Sequence, residues 1–224
     1  MKELLLHQEQ LNYIGLFSKP VFSLWGKGPI ILEGLHSAFA QFKVNLTDLR
    51  QESFSPVVSE ASATVLFGTT GNYKFKFDRI ESSHSIFAPE DVTRFFAILE
   101  HGERWLRPGV PSFSFQTHLF TYQSHSSVSE GTGKECLAKL PQIELGDIGI
   151  NLGNGIILNW LDPALERRFQ LILDHSHIVS DGLFIQFSAH LSEDRVDYQE
   201  LAKTGKTILS NTLARLGLTI ESEG

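Results

Sequence analysis

Aromatic and charged residues alternate over Tyr73-Lys74-Phe75-Lys76-Phe77-Asp78. A period of two places Tyr73, Phe75 and Phe77 on one face and the charges on the other, as a half-solvated antiparallel strand requires. The β-favouring run from Ala61 to Phe67 precedes it across Gly68-Thr69-Thr70-Gly71-Asn72, so the two predict a hairpin. A second alternating run, Phe113 to Leu119, follows the breakers Pro108, Gly109 and Pro111 and predicts another strand. Leu11 to Leu24 is compatible with extended chain.

Between the strands the period changes. From Pro89 to Leu106 the residues Val92, Phe95, Phe96, Leu99 and Gly102 recur at helical spacing. Pro89 suits the first turn, and Glu90 and Asp91 complement the positive end of the helix dipole. Pro29 to Phe42 predicts another helix with Ile30, Ile31, Leu35, Ala38, Phe39 and Phe42 inward, although Gly34 costs about 1 kcal/mol relative to alanine. In the last third Ile156 to Trp160, Phe169 to Leu173 and Leu183 to Ala189 predict strands, and Val196 to Leu216 a helix. Its buried stripe would be Leu201, Ile208, Leu209, Thr212, Leu213 and Leu216. Gly217 stands at the C-terminal cap, and Leu218-Thr219-Ile220 offers a last strand.

These elements predict an α+β protein: antiparallel sheet packed against long amphipathic helices, in two similar strand-helix-strand halves. The Ser/Gly-rich residues 123–135 predict a mobile loop. That stretch sets the expected division into an N-terminal α+β half, 1–130, and a C-terminal one, 131–224, though one continuous domain is equally compatible with the pattern.

Composition narrows the class further. With 224 residues and 42% hydrophobic content the chain can build a core, which its seventeen phenylalanines make strongly aromatic. A formal charge of −7, with no cluster of four Lys/Arg, argues against nucleic acid and anionic lipid as partners. Cys136 is the single cysteine, so no disulfide forms within the chain and no thiolate cage can hold a metal. That usage, and an N-terminal apolar run too short for a signal-peptide core, predict a cytoplasmic location. No apolar run approaches the roughly 18 residues of a membrane helix.

Candidate chemistry is sparse. Gly131-Thr132-Gly133-Lys134 and Gly205-Lys206-Thr207 echo a phosphate loop, but the glycine needed five positions before Gly-Lys is replaced by Val128 and Glu200. Gly146, Gly149, Gly153 and Gly155 lead into Ile156-Ile157-Leu158, not a helix, so the dinucleotide fingerprint fails as well. The densest polar cluster is Asp174-His175-Ser176-His177. If the strand from Phe169 continues, His175 and His177 share a face and, with Asp174 beside them, become candidate metal ligands, to which His84, His118 and His125 could converge from elsewhere. No His-Glu-x-x-His pattern completes that set. No Gly-x-Ser-x-Gly elbow is present, Cys136 has no neighbouring histidine in sequence, and the pairs Glu90/Asp91 and Glu193/Asp194 abut helix starts where capping accounts for them.

No catalytic residue is identifiable from the sequence, and no cofactor is expected. The preferred function is a non-catalytic protein-binding or assembly module, which an aromatic sheet face or an exposed strand edge joins to a protein partner or to another copy of itself. Two alternatives are a small-molecule pocket between sheet and helices, and a metal-assisted hydrolase using Asp174, His175 and His177.

Overall fold

A computed structural model describes residues 1–24, 26–52, 61–110, 113–138, 155–163 and 166–220. Along these the chain forms β1 (Lys2–Phe17), α1 (Gly28–Ala38), β2 (Leu49–Glu52), β3 (Ser62–Phe67), β4 (Gly71–Lys76), β5 (Arg79–Ile86), α2 (Pro89–Gly109), β6 (Phe115–Val128), α3 (Gly133–Leu137), β7 (Ile156–Asp162), β8 (Arg167–His175), β9 (Leu183–Leu191), α4 (Tyr198–Arg215) and β10 (Leu218–Ile220). The protein is α+β, and the strand pairs β2/β3, β3/β4, β4/β5 and β7/β8 are all antiparallel. Two compact units share the chain: a central one, residues 11–120 and 190–202, and a terminal one, residues 1–10, 121–189 and 203–224.

In the central unit the strand order is β2-β3-β4-β5-β1-β6. The alternation that predicts β4 places Tyr73 and Phe75 fully inside, and β5 follows the same rule with Ile80, Ser82, His84 and Ile86 buried. Its opposite face carries the ion pairs of Glu81 with Lys76 (2.8 Å) and Arg79 (2.5 Å). Against this sheet lies α2, whose Phe95, Phe96, Ile98, Leu99 and Leu106 are buried and whose start is held by Asp91 accepting the Phe87 and Ala88 amides. Helix α1 packs on α2, β2 and β3. Two helix glycines admit aromatic groups at close range: a Cβ on Gly102 would fall 2.4 Å from the Tyr73 hydroxyl, and one on Gly34 would meet the Trp105 indole. The propensity cost of Gly34 is thus offset by packing that alanine would forbid. Ile30, expected inward, is exposed.

In the terminal unit the order is β10-β1-β6-β9-β8-β7, with β10 parallel to β1 in the register Lys2↔Leu218. Phe169, Leu171 and Leu173 of β8, with Leu183, Ile185 and Phe187 of β9, form the buried face, and Leu209 and Leu213 of α4 are buried too. Residues 123–128 are not the mobile loop that their serines predict but the second half of β6. Ser124 and Ser126 are fully buried at alternate positions, and Gln123 donates to Gln186 at 2.8 Å. Small hydroxyl side chains read as loop by composition, yet at a period of two they fit an interior strand face where volume is limited. No helix among the described residues is long and apolar enough to cross a membrane.

Candidate functional site

Among the described residues of the central unit, an extended group of interacting polar side chains lies where β1, α2, β6 and the approach to α4 meet. Tyr13 sits on the inward period of β1, and its hydroxyl is 2.9 Å from His118 Nδ1 on β6. Tyr13 also hydrogen-bonds Tyr198, which donates to Glu103 Oε2 at 2.7 Å. Glu103 Oε1 accepts from Arg107 Nε at 2.6 Å, one helical turn away, and Arg107 reaches the Asp194 carbonyl oxygen at 2.8 Å. Asp194 Oδ1 in turn accepts the Phe115 amide at 2.8 Å. The result is a contiguous polar path from His118 to Asp194, walled by Phe96, Phe115 and Phe120.

Burial sets the electrostatics of that path. It pushes the Tyr13 and Tyr198 phenols well above their ordinary value, a direction that Glu103 reinforces through its charge. It also holds the His118 imidazole down at about 4, against smaller opposing effects from the Glu193 backbone and from Glu193 and Asp194. At neutral pH Tyr13, Tyr198 and His118 are therefore uncharged. His118 is 0% exposed. A general acid or base must reach its substrate and titrate near the working pH, and His118 does neither. What the path does is fix one arrangement of the core, since its two phenols and the Glu103 carboxylate find these partners only in this packing.

The sequence-predicted cluster lies in the terminal unit, at the end of β8. The strand stops at His175, so His177 sits in the turn that leads to β9. Asp174 Oδ1 accepts the His175 amide at 2.7 Å, while His175 Nε2 is buried with no hydrogen-bond partner. Ser176 organises the turn by accepting the Ile178 and Val179 amides at 3.1 and 2.8 Å, and its hydroxyl also meets His125 Nδ1 at 2.9 Å. Partial burial and the nearby His177 both lower the His125 pKa. His125 thus joins Ser176, whereas His84 and His118 belong to the central unit; His84 is packed between Phe67 and Phe95 and is held at about 4 by burial and then by Arg94. Among the described residues no three His, Cys, Asp or Glu side chains are grouped so as to hold a metal.

The glycine-rich segments have structural roles where they are described. Thr132 caps α3 by accepting the Glu135 amide, and the Gly133 amide donates to the Asp181 carbonyl at 2.6 Å. Gly205-Lys206-Thr207 lies inside α4. Gly146, Gly149 and Gly153 lie outside the described residues.

Two surface features were not legible as sites. One is a cavity of about 290 Å³ in the central unit, lined by Leu24, Ile31, Ala61, Ala63, Phe75 and Phe77, with Gln51 and Ser62 as polar groups. The other is strand β7, the last in the order of the terminal unit, where Ile157, Leu158 and Leu161 are 62%, 37% and 58% exposed. The path through Tyr13 and Glu103 was equally hidden, because its members lie up to 185 positions apart, from Tyr13 to Tyr198, with no shared motif. Compared with models of protein families and with curated proteins, the chain matches none.

Proposed function

We propose that this protein is a non-catalytic binding or assembly module whose contact element is the edge strand β7. The observation that carries the proposal is the coincidence, on one strand, of a ladder edge with no partner strand among the described residues and three exposed large apolar side chains. An edge strand presents unpaired backbone donors and acceptors, and soluble folds ordinarily blunt such an edge with charge, proline or a covering element. Within β7 the only charge is Asp162. The ladder hydrogen bonds of an added strand would supply affinity, and alternate side chains would supply selectivity. Light scattering behind size exclusion tests the proposal: wild-type protein is expected to associate with concentration, and the Ile157→Lys/Leu161→Lys variant to elute as a folded monomer. A wild type that remains monomeric, with an edge that accepts no strand, defeats it.

The cavity lined by Phe75, Phe77, Ile31 and Leu24 favours a second function, binding of a small apolar ligand. Its volume suits a ligand at the small end of the usual range. Titration with an apolar fluorescent probe checks this, since Ala63→Phe would fill the space and abolish the signal.

A further inference from the structure

We infer that the occupant of the β7 edge is a second copy of this chain, paired antiparallel about a two-fold axis through Asn159. This rests on β7 being the contact element. The strand reads Ile156-Ile157-Leu158-Asn159-Trp160-Leu161-Asp162, and it is close to palindromic in polarity. With Asn159 facing its own copy, Ile157 falls opposite Leu161, Leu158 opposite Trp160, and Asp162 opposite Ile156. Every large apolar side chain except the terminal Ile156 then meets another apolar one, and two-fold symmetry makes the same patch serve on both sides.

Both faces of the sheet agree with this register. On the inward face the rings of Phe187, Phe169 and Trp160 form a ladder across β9, β8 and β7, with Phe169 5.7 Å from each neighbour. The ladder stops at half-buried Trp160, and the next rung in the pair is Leu158 of the second copy. On the outward face Ile157 is registered against Ile172 of β8, and Leu161 of the second copy would extend that row. Moving the axis by one residue of the same strand to Trp160 sets Leu158 against Asp162 and Leu161 against Asn159, and moving it to Leu158 sets Ile157 against Asn159. Of these three registers the one about Asn159 keeps apolar groups together from Ile157 to Leu161. Antiparallel pairing also holds the two Asp162 carboxylates about 20 Å apart, at roughly 3.3 Å per residue, where a parallel pair would stack them in a chain that already carries −7.

Directly opposite residues of an antiparallel pair have Cα atoms about 4.5–5.5 Å apart, within the range a disulfide spans. The test is therefore oxidation of Asn159→Cys in a Cys136→Ser background at about 100 μM protein, a concentration that fills a micromolar interface. Asn159 is an exposed edge residue, and the melting curve of the variant checks that the fold is kept. The expected result is a covalent dimer from Asn159→Cys and none from Leu161→Cys, whose two copies would lie about 13 Å apart. Cross-linking of both variants alike, or of neither, overturns the pairing. A synthetic peptide of residues 156–162 separates that failure from failure of β7 as a contact element. If cross-linking fails but the peptide binds wild-type protein and not Ile157→Lys/Leu161→Lys, the edge accepts a strand and the two-fold pairing alone is lost. If the peptide also fails to bind, both fall.

Discussion

The central unit buries its densest group of polar side chains, whereas the terminal unit leaves its histidine turn and the apolar side chains of its end strand exposed. In the central unit Tyr13, His118, Tyr198 and Glu103 are buried and tied to one another, and the short end strand β2 is backed by α1. In the terminal unit His177 stands in an open turn, and the end strand β7 carries exposed Ile157, Leu158 and Leu161. The difference teaches that the chemically richest cluster and the proposed contact surface need not coincide. Unusual titration and dense hydrogen bonding mark the place where the fold is specified, while the end strand with no further partner strand among the described residues marks the proposed place of association.

Acid separates the two regions most sharply. His84 and His118 titrate at about 4 in the folded chain against an ordinary 6.5, because burial disfavours the charged imidazole. Between those values the unfolded chain binds protons that the native state cannot, so stability is level above about pH 6.5 and falls as pH drops toward 4. At 1.36 kcal/mol per unit the loss is about 3 kcal/mol for each histidine, or roughly 6 for the pair. Urea unfolding at neutral pH and at acid pH is expected to show that loss in wild type, and His84→Gln should remove about half of it. An acid sensitivity unchanged by His84→Gln would break the comparison.

The next effect is Glu103→Ala, expected to destabilise by about 3 kcal/mol. The substitution strips Tyr198 of its acceptor and Arg107 of its closest partner while leaving Tyr198 buried. Gly102→Ala should follow at about 2 kcal/mol, since the added methyl meets the Tyr73 ring in a helix that packing holds in place. Thermal melts of both variants check these values. Ile157→Lys/Leu161→Lys, by contrast, is expected to leave the melting temperature of the dilute protein unchanged while removing association.

How much of this was legible depended on how local the signal was. The hairpin of β3 and β4, helix α2 from Pro89, and the strands β7 to β9 each follow from a period carried by contiguous residues, and α4 ends beside Gly217 as its cap predicts. The second half of β6 was lost because Ser124 and Ser126 have the composition of a loop and the period of a strand. Asp194 was misjudged for a related reason. Proximity to a helix start makes it look like a cap, yet Asp197 caps α4 by accepting the Gln199 and Glu200 amides, and Asp194 binds Arg107 and Phe115. Which of several nearby acids takes a cap is settled by tertiary partners, and those were invisible along the chain. Strand β7 itself was predicted, but its place at the end of the order is a property of topology.

The smallest expected effect concerns the histidines at the end of β8. Their spacing suggests shared chemistry only while both lie on one strand, and the turn begun at Ser176 carries His177 away from the strand geometry that orients His175. An exposed side chain in a turn contributes little to stability, so His177→Ala should change it by no more than about 0.5 kcal/mol. Zinc would raise the melting temperature only by binding the folded state more tightly than the unfolded one. With His125 engaged by Ser176 and Asp174 by the His175 amide, adding zinc at a tenfold molar excess is expected to leave the melting curve in place. A zinc-dependent rise that disappears in His177→Ala would move the proposed site from the β7 edge to this turn.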